Sequence, residues 1–364
     1  MLYDLIRVLV PAATAFVIGI VFTPALTHYL YKFKAWKKRS GKIGLDGSAA
    51  QEFNRLHVRH EVRAPRMGGI VVWGSVVLTV VGISIVAFFD PRAEILRLDF
   101  LSRNQTWLPL AALLGGSLVG LVDDLLVIRP NAEGLALRYR LLFVFVLSSF
   151  IGWWFWDKLD VTSVSIPFHA PLEIGALIIP LYILVSLALY ASGVIDGIDG
   201  LSGGVFASIF ASYSIIAFAQ NQIDLAAFSA AIVGGLLAFL WFNVPPARFY
   251  MTDTGTMGLT LVLGVIAFMT DKLGGGVGIS VLPVIGMLLV VTVLSDIAQM
   301  LSKKIFGRKL FRIAPLHHHF EAIGWPGSKV VMRYWILSVV FAFAGVIIAL
   351  TALSATGTLL PVIL

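Results

Sequence analysis

Apolar residues run through the chain in long blocks separated by short polar stretches. Taken at about 20 residues per membrane-spanning helix, these blocks predict ten spans. They lie at about 5–30, 67–89, 107–128, 140–156, 174–194, 200–219, 225–243, 257–270, 277–301 and 333–355. The period-two alternation of an outer-membrane strand is absent from them. It surfaces once, in V-T-S-V-S-I-P-F-H from Val161, and predicts a short β-hairpin between the fourth and fifth spans. The first block lacks a basic leader and continues to about Leu30, so it reads as a retained span. The expectation is an all-α polytopic membrane protein, one integral domain over residues 1–364.

The cations between the blocks give this ladder a direction. Of 27 Lys and Arg, 21 fall on one side: in the loop from Tyr31 to Arg66, after the third and seventh spans, and between Lys303 and Arg333. The positive-inside bias makes that side cytoplasmic. An even number of spans then puts both termini outside the cytoplasm and the hairpin on the periplasmic side. Composition agrees: 59% of residues are hydrophobic and 13% charged, against roughly 25% charged in soluble domains. The formal net charge of +7 is therefore mainly topology, with attraction to anionic lipid or an anionic substrate added to it. Nucleic acid is excluded as a partner, because no soluble domain carries the charge. The absence of cysteine excludes disulfides and thiolate metal sites. Small residues in the sixth span (Gly203, Gly204, Ala207, Ser208) and the seventh (Ala230, Ala231, Gly234, Gly235) predict close helix packing.

Carboxylates are costly near hydrocarbon, so their positions are informative. Asp123 and Asp124 end the third span, Asp196 and Asp199 lie between the fifth and sixth, and Asp253 follows the seventh. The topology puts all five at one depth, the cytoplasmic boundary, beside His317, His318 and His319. Asp196 and Asp199 are three apart and share a face on a helical turn. A single aspartate at a helix end usually caps it, but five from three connections converge too closely for that. Such a cluster without sulfur suits a hard cation, Mg²⁺, which binds through one or two carboxylates plus substrate phosphates. Next to basic loops it suits phosphoryl transfer involving a lipid. An ion-coupled transporter is the alternative of another class, but it expects charges at the membrane midplane, and none is read there.

Several motifs occur in an order that resembles the polyprenyl-phosphate N-acetylhexosamine-1-phosphate transferase superfamily. They are P-R-M-G-G-I at Pro65, the pair Asp123-Asp124, D-G-I-D-G-L at Asp196, L-W-F-N at Leu240, the segment ending at Asp253, and P-L-H-H-H-F-E-A-I-G-W-P at Pro315. The last block is particularly similar to the phospho-N-acetylmuramoyl-pentapeptide transferase branch. The resemblance runs from about Pro65 to Trp335 and includes the span count.

The resemblance implies transfer of phospho-MurNAc-pentapeptide from UDP-MurNAc-pentapeptide to undecaprenyl phosphate in the bacterial inner membrane. The products are lipid I and UMP, Mg²⁺ is required, and a homodimer is expected. It places the active site at the cytoplasmic ends of spans 3, 5–6 and 7–8 and in the 302–333 loop. Asp253 is the implied Mg²⁺ ligand with Asp124 close by, and Asp123 the base or positioner for the lipid phosphate. Asp196 and Asp199 match aspartates on the cytoplasmic face, Asp199 near the uridine; Asn243 and Tyr250 match the nucleotide pocket, and Gln299 a polar position on span nine. His318 and His317 are expected to contact pyrophosphate or sugar, and His319 to hold the loop. Departures stand at Arg140 (usually Lys), Tyr250 (usually Phe), Gly193 (often Asn), Val127 (often Lys nearby) and Ala64-Pro65-Arg66, where T-P-T is usual. A related transferase using UDP-GlcNAc is the same-class alternative.

Overall fold

A computed structural model describes residues 1–37, 64–89, 98–101, 105–130 and 134–355. Of the cations counted above, Lys38, Arg39, Lys42, Arg55, Arg59, Arg63, Arg92, Arg97 and Arg103 lie outside the described residues.

Apolar blocks that satisfy their own backbone hydrogen bonds can only be helices in a lipid environment, and helices are what form. In chain order they are α1 (Leu2–Lys32), α2 (Gly69–Phe89), α3 (Trp107–Val127), α4 (Leu137–Trp153, continued by a π turn at Trp154–Lys158) and α5 (Ile178–Ser192). Then follow α6 (Leu201–Ala219), α7 (Ile223–Asn243), α8 (Thr252–Met269), α9 (Gly278–Ile285), α10 (Met287–Phe306), α11 (Leu316–Ala322) and α12 (Gly327–Ala355). Among the described residues nine helices are long and apolar enough to cross a membrane, and α9 and α10, bent by 68° at their break, meet the same length and hydropathy as a pair, which gives up to ten spans. The protein is a multi-pass membrane protein. The hairpin forms as expected, β1 (Ser163–Val164) antiparallel to β2 (Leu172–Glu173).

Two boundaries differ from the sequence reading. The eighth span begins at Thr252, so Asp253 lies in the first helical turn and not in a connection. The ninth is broken at Gly286, close to Pro283, which lacks the N–H that helix continuity needs. The 302–333 connection holds the short helix α11 and is entered by α10 as far as Phe306.

α8 is the axis of the bundle, with every residue from Thr254 to Met269 buried. α7 is almost as enclosed, whereas α1, α2 and α12 keep large apolar side chains such as Val21, Phe88 and Phe343 on the outside, as a lipid-facing ring requires. The small residues let backbones meet. A side chain on Gly235 would press on Ser75 and Val72, one on Gly203 on Leu240, and one on Gly204 on the Trp335 indole. At the end remote from the aspartates, Arg7 pairs with Asp224 at 2.9 Å. There too Asp271 accepts from the Ser165 and Ile279 amides at 2.8 and 3.1 Å, tying the hairpin segment to the ends of α8 and α9.

Candidate active site

The site begins with a helix crossing. Gly116 on α3 leaves so little room that a Cβ would lie 2.7 Å from the Met257 carbonyl oxygen, and one on Gly120 would overlap the Asp253 carbonyl. Backbone contact between α3 and α8 therefore carries the last turn of α3, with Asp123 and Asp124, to the first turn of α8, with Asp253. Carboxylates at a helix C-terminus oppose the helix dipole. Asp123 and Asp124 are thus not caps; both are buried and held by groups from elsewhere.

Asp124 is fully enclosed. Its Oδ1 accepts from Arg66 Nε at 2.8 Å and Nη2 at 2.7 Å. Its Oδ2 accepts from the Thr252 hydroxyl, from Thr254 N at 3.1 Å and from Thr254 Oγ1 at 2.5 Å. Asp123 takes the Leu135 amide at 2.6 Å on Oδ1. Its Oδ2 lies 3.9 Å from Arg140 Nη1, the same nitrogen that bonds Asp253 Oδ2 at 2.5 Å. Arg140 thus bridges the two carboxylates. Asp253 is the more open of them, with 28% of its side chain exposed.

Asp196 and Asp199 do not share a helical face. The glycines break the helix: a 3₁₀ turn ends at Ile195, and Gly200 takes φ +81° before α6 starts. Asp196 accepts from Ser202 Oγ at 2.7 Å and from Thr252 N at 2.8 Å. Burial raises its carboxyl above the usual carboxylate range, against those two bonds, which lower it. Asp199 instead accepts the Ala247 amide at 3.0 Å. Asn243 ties the same two loops together, accepting from Gly200 N at 2.9 Å and donating to the Phe249 carbonyl at 2.7 Å. Tyr250 lies in the strand-like segment that exchanges backbone bonds with the P-R-M-G turn: Tyr250 N to Pro65 O at 2.9 Å, Gly68 N to Tyr250 O at 2.8 Å.

The histidines divide two and one. His317 and His318 are buried, with ring centroids 4.3 Å apart. A Cβ on Gly197 would lie 2.5 Å from His317 Nε2 and 2.6 Å from His318 Nε2, so both imidazoles press on the backbone between Asp196 and Asp199. His318 Nδ1 bonds Glu321 Oε2 at 2.8 Å, one turn along α11. His319 turns away, accepting the Arg312 amide at 3.2 Å on Nδ1 and meeting Phe311 edge-on. Gln299 holds that loop, its Oε1 accepting from the Leu310 and Phe311 amides at 2.9 Å and its amide donating to Phe311 O at 2.9 Å.

The structure thus links the aspartates, Arg140, Asn243 and two of the three histidines through successive contacts at one end of the bundle. Sequence reasoning passed over Thr252, Thr254 and Glu321, although T-D-T and H-H-F-E display them. It noticed Arg66 only as a departure. It also missed Asp296, which follows Ser295 on α10; Ser295 Oγ accepts from Leu316 N at 3.0 Å, so this charge sits at the level of α11. Among the described residues no three acidic or imidazole side chains form a preformed metal cage. Mg²⁺ does not need one, since it keeps waters and borrows phosphate oxygens. The hard oxygens of Asp253 and neighbouring Asp123 suit it, and imidazole does not.

Fold and site together define an integral membrane protein with a carboxylate-rich polar centre at one end of its helix bundle. The glycosyl transferase family 4 model matches residues 106–271, the stretch that carries all five aspartates. A phospho-N-acetylmuramoyl-pentapeptide-transferase of Anoxybacillus flavithermus is 31% identical over 348 residues, covering 94% of this chain and 97% of the relative. One of a Thermoanaerobacter species is 32% identical over 93% and 97%, and one of Clostridium perfringens 28% over 93% and 95%. The chain belongs to the phospho-N-acetylmuramoyl-pentapeptide-transferase family.

Proposed function

We propose that the chain transfers phospho-MurNAc-pentapeptide from UDP-MurNAc-pentapeptide to undecaprenyl phosphate, giving lipid I and UMP. One observation carries the reading: Arg140 bridges Asp253 and Asp123 beside a turn backed by His317 and His318, in a chain related to this family along nearly its whole length. The clustering of Lys and Arg in connections on the site's side supports a cytoplasmic orientation in a bacterial inner membrane, where a water-soluble nucleotide arrives.

In the step itself, an oxygen of the lipid phosphate forms a bond to the β-phosphorus of the donor. The bond from that phosphorus to the bridging oxygen breaks, and its electron pair leaves with UMP. Asp123 orients the attacking phosphate, its carboxylate held by the Leu135 amide. Arg140 exchanges part of its contact with Asp253 for the incoming phosphates, a charge-assisted interaction of the kind that dominates phosphoryl transfer. His318, anchored through Nδ1 on Glu321, presents its far edge to the Asp196–Asp199 turn, where it meets pyrophosphate or sugar. Asp253 with Asp123 would hold Mg²⁺, which when bound would supply neutralisation of the pyrophosphate charge that builds up on departing UMP.

The test is UMP release by the detergent-purified chain from UDP-MurNAc-pentapeptide and undecaprenyl phosphate, with and without Mg²⁺. Release that needs the lipid and Mg²⁺ is expected. No release in the complete mixture refutes the reading, and preference for UDP-GlcNAc moves the chain to another donor. UMP exchange into the donor without lipid replaces direct attack by a covalent aspartyl-phosphate route.

A further inference from the structure

Asp124 and Arg66 form a pair whose geometry departs from that of a metal site. Among the described residues the donors to Asp124 come from two backbone turns, and both turns contain a non-glycine residue in the left-handed region. Met67, next to Arg66, has φ +68°, and Thr252 has φ +56°. Such conformations are strained and persist only where surrounding contacts hold them. Met67 N donates to Thr252 Oγ1 at 3.1 Å, so the two turns are also bonded to each other. Asp124 joins them from the third side: Oδ1 takes two guanidinium N–H groups of Arg66, Oδ2 the hydroxyls of Thr252 and Thr254 and the Thr254 amide.

We propose that Arg66 is a built-in counter-cation that takes Asp124 out of metal coordination, making Asp124 a clamp between the P-R-M-G turn and the start of α8 and leaving the cation to Asp253 and Asp123. A carboxylate offers about four lone-pair sites, and five protein donors already reach Asp124. Asp253 and Asp123 differ in kind. Each has fewer protein donors, and the arginine they share is only 24% exposed yet bridges them through one nitrogen. The site therefore carries two fixed cations with separate tasks: Arg66 holds architecture, and Arg140 faces the reacting groups. Burial acts to lower the Arg66 pKa, but Asp124, and then Asp253 and Asp123, hold it above the ordinary arginine value, so the clamp stays charged at every working pH.

The inference rests on the Mg²⁺ reading above, and Mn²⁺ titration of the purified full chain, followed by electron paramagnetic resonance, separates the two. The neutral exchange Arg66→Met with Asp124→Asn preserves the net charge of the site. It is expected to bind Mn²⁺ within about threefold of the unaltered chain, whereas Asp253→Asn weakens binding by about 10-fold or more. Loss of Mn²⁺ binding in the paired variant as complete as in Asp253→Asn makes Asp124 a ligand and overturns the proposal alone. No binding by the unaltered chain overturns the Mg²⁺ reading and this inference with it. Should the paired variant not fold, Arg66→Thr is measured instead. It frees Asp124 and removes a repelling cation, so tighter Mn²⁺ binding is expected; unchanged or weaker binding sinks the proposal.

Discussion

The Nε2 atom of His318 lies 2.6 Å from where a side-chain carbon would begin on Gly197. His317 approaches the same point to 2.5 Å, so two buried rings press on one backbone position between two aspartates. The glycine is present for that approach, since its φ is not in the left-handed range. Gly197→Ala must therefore displace the imidazoles or the Asp196–Asp199 turn. Misplacement of reacting groups by about 1 Å is worth about 100-fold in rate, so UMP release should fall by 10-fold or more, on the order of that effect. Gly115→Ala is the control, because its Cβ would meet only Leu147 and Phe143 at 3.7 and 3.9 Å. Equal activity in both variants would show that the histidine face does not touch the reaction.

Glu321 matters through His318. Their 2.8 Å bond fixes the ring that faces Gly197. Glu321→Ala removes the anchor and is expected to lower UMP release by about 10- to 100-fold, the usual cost of losing a partner that orients a functional imidazole. Glu321→Gln keeps an acceptor oxygen for Nδ1 and should retain most of the activity. If glutamine is as damaging as alanine, the carboxylate charge and not the orientation is what the site uses.

The crossing of α3 and α8 gives a stability prediction with a catalytic consequence. Gly120→Ala would drive a methyl into the Asp253 carbonyl. Overpacking of this kind costs about 1–3 kcal/mol, and the only relief is to move α8 away from α3. The melting temperature in detergent should drop and Asp253 should part from Asp123, so activity should fall further than stability. An unchanged melting temperature would mean the helices have slack that the close approach denies.

Much of this was legible before the fold. The spans show because lipid-facing and core positions are both apolar, so each helix is a block. The shared depth of the five aspartates follows from counting those blocks. What stayed hidden depends on breaks and on distance along the chain. T-D-T-G-T-M-G is too polar to read as helix, yet it starts the most buried span, because α3 covers it and Asp124 answers its donors. Asp196 and Asp199 were expected on one face, and Gly197 and Gly200 prevent it. Arg66 looked like a loss of the usual threonine; its partner is 58 residues away, where no spacing rule reaches.

Asp271, at the end opposite the site, gives a pH dependence with a definite sign. Burial pushes its carboxyl up from 3.8 to about 6, although the Ser165 and Ile279 amides favour the charged form. A carboxyl raised on folding is protonated in the folded state while the unfolded chain has already released its proton. Between about pH 4 and 6 the folded state therefore holds the extra proton, and its stability is lost as pH rises through that window, by about 3 kcal/mol. Asn mimics the protonated form in shape, so Asp271→Asn should remove this contribution without releasing the hairpin. Unfolding temperatures in detergent from pH 4.5 to 7.5 are the measurement. The unaltered chain should lose stability relative to Asp271→Asn as pH rises to about 6 and run parallel to it above about 7. Parallel curves throughout would mean that the Asp271 carboxyl titrates alike in the folded and unfolded chain.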